Sequence, residues 1–298
     1  MANIIALIWD FDRTLIDGYM QDPMFEEYGV DKRQFWDEVN ALPEKYAKEQ
    51  GVKVNPETIY LNHMIKYARE GKFAGLSNKK LREIGTKMKF YPGMPLFMQK
   101  AKDYIKDNPR YAEYDIKLEN YIVSTGLTEV IKGSEVYKYV SGVWGCEFIE
   151  RDGVIDEIAY TIDNTTKTRA LFEINKGVGR DNNVKVNTMI PKEQRRVPFE
   201  NMIYIADGPS DIPAFSVINQ NHGHTFAIYP KGSVEALKQV EQMRLDNRIE
   251  LYAVADYSED TTAYLWLMSK IEQIAEEIRQ KERNQIAKYE NAALPRHL

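Results

Sequence analysis

The feature that most constrains the fold lies at the start of the chain. Six consecutive apolar residues, Ile4-Ile5-Ala6-Leu7-Ile8-Trp9, run directly into Asp10-Phe11-Asp12-Arg13-Thr14-Leu15. A run that is apolar at every position, rather than at every second one, reads as a strand buried on both faces, and that requires a sheet covered by helices on each side. It is far too short to span a membrane and has no basic leader, so no membrane association is expected. Further apolar runs of strand length occur at 121–123, 202–206, 225–229 and 251–255, with helical stretches between most of them. Alternating strands and helices predict an α/β fold, a Rossmann-like parallel sheet with helices on both faces.

More than a hundred residues separate the first two runs, and most of them are helical in pattern. A helical cap is therefore expected at 17–89. The turn Tyr91-Pro92-Gly93-Met94-Pro95 then opens an amphipathic helix leading to the second strand. The α/β core is predicted to comprise 1–16 and 90–257. A C-terminal helix over 258–298, capped by Ser258 or Asp260, is expected to pack on it. The insert carries 13 Lys+Arg and 12 Asp+Glu, and the whole chain has a net charge of −5. No block of one sign would track a phosphate backbone, which argues against nucleic acid as a partner. The single cysteine, Cys146, cannot form an internal disulfide and points to the cytoplasm. The long polar connection at 176–200 reads as functional or mobile.

Four groups carry candidate chemistry. Asp10 and Asp12 end the first strand, where open parallel sheets place their ligands, and alternation puts both carboxylates on one side of an extended chain. Two close acids can divide labour, one as nucleophile or metal ligand and the other moving protons; an ordinary Asx-turn explains them about equally well. Asp207-Gly208-Pro209-Ser210-Asp211 follows another buried run and adds carboxylates suited to a hard cation, although a strand-to-helix turn accounts for it alone. Ser124-Thr125-Gly126 follows the second strand and opens a helix from about Leu127, a place where hydroxyl and backbone N–H groups bind anions and where simple capping is also common. Lys167 lies near the start of a later helix, with Arg169 competing for the same role.

In this order and at these positions, the four groups resemble the haloacid dehalogenase superfamily of aspartate-nucleophile phosphatases. Asp10, Asp12 and Thr14 match its Asp-x-Asp-x-Thr motif, Ser124 its strand-ending hydroxyl, Lys167 its lysine, and Asp207 with Asp211 its acidic pair. The position of the insert is most similar to the phosphoserine phosphatase-like branch. The resemblance implies a Mg²⁺-dependent phosphomonoester hydrolase acting on a small phosphorylated metabolite. Asp10 would be the nucleophile and Asp12 the acid and base. Asp10, the Asp12 carbonyl, Asp207 and Asp211 would hold the metal, and Ser124, Thr125, Gly126 and Lys167 the phosphate. The alternatives are a C–halogen or C–P hydrolase on the same scaffold and a non-catalytic binding or regulatory protein. Arg13 stands where the family commonly has glycine, and either contacts substrate or pairs with a carboxylate of the cap. Ala206 replaces a glycine of the fourth motif.

Other features carry less. His222 and His224 lack a third metal ligand, and Cys146 reads as a buried structural thiol. The aromatic residues of the insert, among them Phe25, Phe35, Trp36 and Tyr60, are expected to form its core, with one or two facing the substrate.

Overall fold

The structure, a computed structural model, describes residues 3–180 and 183–293. Strand β1 (Ile4–Trp9) is buried at every position and lies at the centre of a seven-stranded sheet. It pairs in parallel with β2 (Lys117–Leu127) on one side and β5 (Met202–Ala206) on the other. The sheet continues through β6 (His224–Tyr229) to β7 (Leu251–Val254), and on the other side through β3 (Gly142–Arg151) to β4 (Val154–Tyr160), in the order β4-β3-β2-β1-β5-β6-β7. Six strands are parallel; β3 and β4 form an antiparallel hairpin that sequence reading did not find. Its turn is Asp152-Gly153, with both residues at positive φ (53° and 77°), a pairing that favours tight hairpins.

Alternation along β1 divides the core. Ile5, Leu7 and Trp9 face one layer, which includes α5 (Leu96–Asp107) and α11 (Thr262–Ala293); Ile4, Ala6 and Ile8 face the other, with α8 (Lys167–Lys176), α9 (Ile212–Gln220) and α10 (Val234–Leu245). Helix α11 buries Leu267, Ile271, Ile274 and Ile278. Its first turn is capped by Thr261, whose hydroxyl accepts from the Tyr264 N–H at 3.2 Å; this corrects the expectation of Ser258 or Asp260. Residues 294–298 of the expected C-terminal helix, and Asp181 and Asn182 of the long connection, lie outside the described residues. No helix of the described residues is long and apolar enough to cross a membrane.

Between β1 and β2 come α1 (Asp22–Tyr28), α2 (Lys32–Gln50), α3 (Ile59–Arg69) and α4 (Asn78–Gly85). Phe25, Phe35, Tyr67 and Phe73 cluster at their centre, with Phe35 5.3 Å from Tyr67 and 6.0 Å from Phe73. The two connections to the sheet lie side by side: the Asp17 N–H donates to the Lys89 carbonyl and the Tyr91 N–H to the Leu15 carbonyl, both at 3.0 Å. The helices are braced at two further places. The Ile155 N–H of β4 donates to the Leu76 carbonyl at 2.9 Å, and Arg69 pairs with Asp156 at 2.8 Å. Helix α4 packs against α7 (Thr128–Gly133), where Arg82 pairs with Glu129. Here Gly85 and Gly133 allow backbone-to-backbone contact, since a Cβ on Gly133 would overlap the Arg82 carbonyl.

Gly133→Ala is expected to lower the unfolding free energy by about 1–3 kcal/mol, because the added methyl meets backbone rather than a movable side chain. Urea titration would read this as a lower midpoint at unchanged m-value. An unchanged midpoint would mean that α4 and α7 do not pack this closely in solution.

Candidate active site

The carboxyl ends of β1, β2 and β5 open onto one cleft of about 550 Å³. Its floor begins where β1 stops. The Asp10 N–H still bonds to the Ile205 carbonyl of β5 at 2.9 Å, after which the chain turns sharply. Arg13 takes up a positive φ of 54°, and its N–H donates to the Gly18 carbonyl. Phe11 is driven into the core, so its two neighbours face the cleft. Asp12 Oδ1 accepts from the Met20 N–H at 2.8 Å, and the Thr14 hydroxyl reaches Asp10 Oδ2 at 3.5 Å.

Lys167, the first residue of α8, lies beneath this turn at 1% exposure. Its ammonium is 2.8 Å from Asp10 Oδ1 and 2.6 Å from Asp211 Oδ1. Arg169 points away and pairs with Glu173 at 2.8 Å, which settles which of the two basic residues reaches the acids. Asp211 is fully buried; the Tyr204 hydroxyl donates to it at 2.5 Å and Ser210 at 2.8 Å. Asp207 lines the cleft, with the Arg13 guanidinium 3.4 Å from its carboxylate. Of the two roles left open for Arg13, the partner found is thus a core carboxylate, not one from the inserted helices. Oxygens of Asp10, Asp207 and Asp211 lie within 4.8 Å of one another, an all-oxygen donor set that suits a hard divalent cation such as Mg²⁺.

The helix expected from about Leu127 begins at Thr128, but Ser124, Thr125 and Gly126 do not cap it. They lie inside β2, which runs on to Leu127, and α7 starts without a side-chain cap. The Ser124 hydroxyl accepts from the Gly126 N–H at 3.0 Å, and of the three residues Thr125 lines the cleft. Met20 fills the space a Cβ on Gly126 would need and accepts the Leu127 N–H on its sulfur at 2.9 Å, tying the β1 loop to the end of β2.

The inserted helices supply the facing wall: Trp36 from α2, Tyr60 from α3, and Pro56 and Glu57 from the loop between them. The Tyr60 hydroxyl donates to the Thr125 carbonyl at 2.8 Å. Both Glu57 carboxylate oxygens accept from Asn164, one from its backbone and one from its side chain, each at 2.7 Å, and the Asn55 amide reaches Asp163 at 3.0 Å. Sequence reading missed Tyr204, Gln21 and Glu57. A tyrosine in an otherwise aliphatic run three residues before Asp207 was the available signal for the first. Cys146 is buried, donating to the Thr125 carbonyl and accepting from the Ile162 N–H, both at 3.3 Å; His224 pairs with Glu250 at 2.7 Å.

Crowding of acids in a buried place sets their protonation. Burial, with the charge of Asp10, holds the Asp12 carboxyl well above the usual carboxylate range. Burial, Asp10 and Asp211 push Asp207 up to about 7. Asp10 is also raised by burial, against the pull of Lys167. Burial opposes the Lys167 ammonium, but Asp10 and Asp211 outweigh it and keep it charged.

No family model matches the chain. An uncharacterized protein of Borreliella burgdorferi is 37% identical over 287 residues, covering 90% of this chain and 97% of the relative. Among solved structures, a HAD family hydrolase from Salmonella enterica serovar Typhi superposes with a TM-score of 0.51 at 17% identity, over 84% of this chain and 67% of its own. A phosphoserine phosphatase in apo form gives 0.50 at 14% identity, over 85% and 94%. At these identities the likeness to solved structures is one of fold.

The raised carboxyls have a consequence for stability. A folded-state pKa above the ordinary value of 3.8 means that the folded chain holds its proton more tightly, so this stabilisation is complete at low pH and is lost as pH rises towards 7. In chelator, Asp207→Asn should match the wild type near pH 4 and exceed it by about 2–4 kcal/mol at pH 8. Adding Mg²⁺ at pH 8 should raise the Tm of the wild type more than that of the variant. Parallel pH profiles for the two proteins would show that Asp207 is not strained in this way.

Proposed function

Because the chain belongs to the family of the Borreliella burgdorferi protein and carries the haloacid dehalogenase fold, we propose that it is a Mg²⁺-dependent phosphomonoester hydrolase. The observation that carries this reading is the juxtaposition of Asp10 and Asp12 on the floor of one cleft with the buried Lys167 directly beneath Asp10. The two acids differ in a way that suits different tasks. Asp10 faces a fixed ammonium that favours its ionised form, while Asp12 has no such partner and holds a proton to higher pH.

In the proposed reaction a carboxylate oxygen of Asp10 attacks phosphorus, forming the aspartyl O–P bond as the bond to the substrate's alcohol oxygen breaks. Asp12 gives its proton to the departing alkoxide. It then takes a proton from the water that attacks phosphorus and breaks the aspartyl ester, releasing inorganic phosphate and regenerating Asp10. Lys167 neutralises the phosphoryl oxygens, and Ser124, Thr125 and Gly126 offer a hydroxyl and backbone N–H groups to the same group. Asp10, Asp207, Asp211 and the Asp12 carbonyl would hold Mg²⁺, which when bound offsets negative charge on the phosphoryl group. Residues 17–89 act as a cap, limiting water and admitting small esters in preference to polymers.

Asp10→Asn keeps the shape of the side chain and removes its nucleophilicity, so phosphate release should fall by at least about a thousandfold with the circular dichroism spectrum unchanged. Chelation should silence the wild type and Mg²⁺ restore it, and Asp207→Asn should need more Mg²⁺ for half-maximal rate. Wild-type turnover in the Asp10→Asn protein would dismiss the covalent route.

A further inference from the structure

Above the acidic floor, the wall facing the leaving group has its own chemistry. The rings of Trp36 and Tyr60 lie 5.9 Å apart at 46°, and Tyr60 is pinned by its bond to the Thr125 carbonyl. Glu57 sits on the same wall, oriented by its two bonds from Asn164. Gln21 is 5% exposed and lines the cleft, yet its buried Oε1 has no hydrogen-bond partner: an acceptor with no donor. Among the described residues, Arg13 is the one basic side chain lining the cleft, and it is engaged by Asp207; Lys167 lies beneath the floor.

Resting on the phosphatase reading above, we infer that the enzyme selects a phosphomonoester whose alcohol carries a protonated amine and no carboxylate. Aromatic faces and a carboxylate attract an ammonium, and an ammonium N–H supplies the donor that Gln21 Oε1 lacks. A carboxylate on the leaving group would meet Glu57 and find no free cation, so the same wall rejects it. Phosphoethanolamine and O-phosphoserine differ by that carboxylate alone and make the contrast direct.

The experiment uses the full chain with Mg²⁺ and compares kcat/KM for phosphoethanolamine, O-phosphoserine, phosphoglycolate and p-nitrophenyl phosphate at fixed ionic strength. Phosphoethanolamine should exceed O-phosphoserine and phosphoglycolate by about tenfold or more, and Glu57→Gln and Gln21→Leu should each shrink that ratio several-fold. Equal or better use of O-phosphoserine or phosphoglycolate would overturn the inference while leaving the phosphatase reading intact. Failure to hydrolyse any ester, p-nitrophenyl phosphate included, would overturn the phosphatase reading. Selectivity is then still decided by calorimetry on the Asp10→Asn protein, where tighter binding of phosphoethanolamine than of O-phosphoserine supports the inference and the reverse order refutes it.

Discussion

One buried ammonium organises this molecule. Lys167 has almost no contact with water and faces two carboxylates that are buried in turn, Asp10 at the end of β1 and Asp211 at the start of α9. None of the three tolerates isolation, because an uncompensated charge in a protein interior costs several kcal/mol. The three come from parts of the chain more than 150 and more than 40 residues apart. Their pairing therefore fixes the end of β1, the β5–α9 turn and the first turn of α8 relative to one another. The Tyr204 hydroxyl, reaching Asp211 from within β5, extends the same network into the sheet.

The central strands and the acids that end them were legible because burial on both faces leaves an unambiguous mark: β1, β5 and β6 are apolar with little interruption, and a charged residue directly after such a run has to lie at the strand's end. The β3–β4 hairpin was not, because it lies at the sheet edge. Its residues are mixed, with Ile149 half exposed and Glu147, Glu150 and Glu157 interleaved among the apolar ones. The Asp152-Gly153 turn was the one local sign. Ser124 to Gly126 were harder to place for another reason: β2 runs past its partners there, its pairing with β1 ending at Ile122 and that with β3 skipping from Val123 to Leu127, so the extended chain continues to Leu127 before α7 begins.

The cleft wall was the least readable part. Trp36 and Tyr60 belong to an aromatic series whose other members, Phe25, Phe35 and Phe73, fill the interior of the inserted helices, and the same residue types serve both ends. Only the crossing of α2 and α3 over the sheet decides which rings face the acids. Arg13 stood out in the sequence as a bulky residue where glycine is common. The positive φ explains that preference, and the ion pair with Asp207 explains what holds an arginine there.

The contact between Gly85 and Gly133 also determines how the cleft can open. With α4 seated backbone-to-backbone on α7, and β4 bonded to Leu76, swinging the inserted helices away as one rigid flap would break this packing and this bond. Away from that contact, besides the Tyr60 bond to Thr125, the loop between α2 and α3 is fastened by Asn55 to Asp163 and Glu57 to Asn164, bonds to carboxylates of about 1–3 kcal/mol each. They work as a latch on the loop between α2 and α3. The loop they grip, 163–166, leads straight into Lys167, so release of the latch is felt first at the residue on which the acids depend.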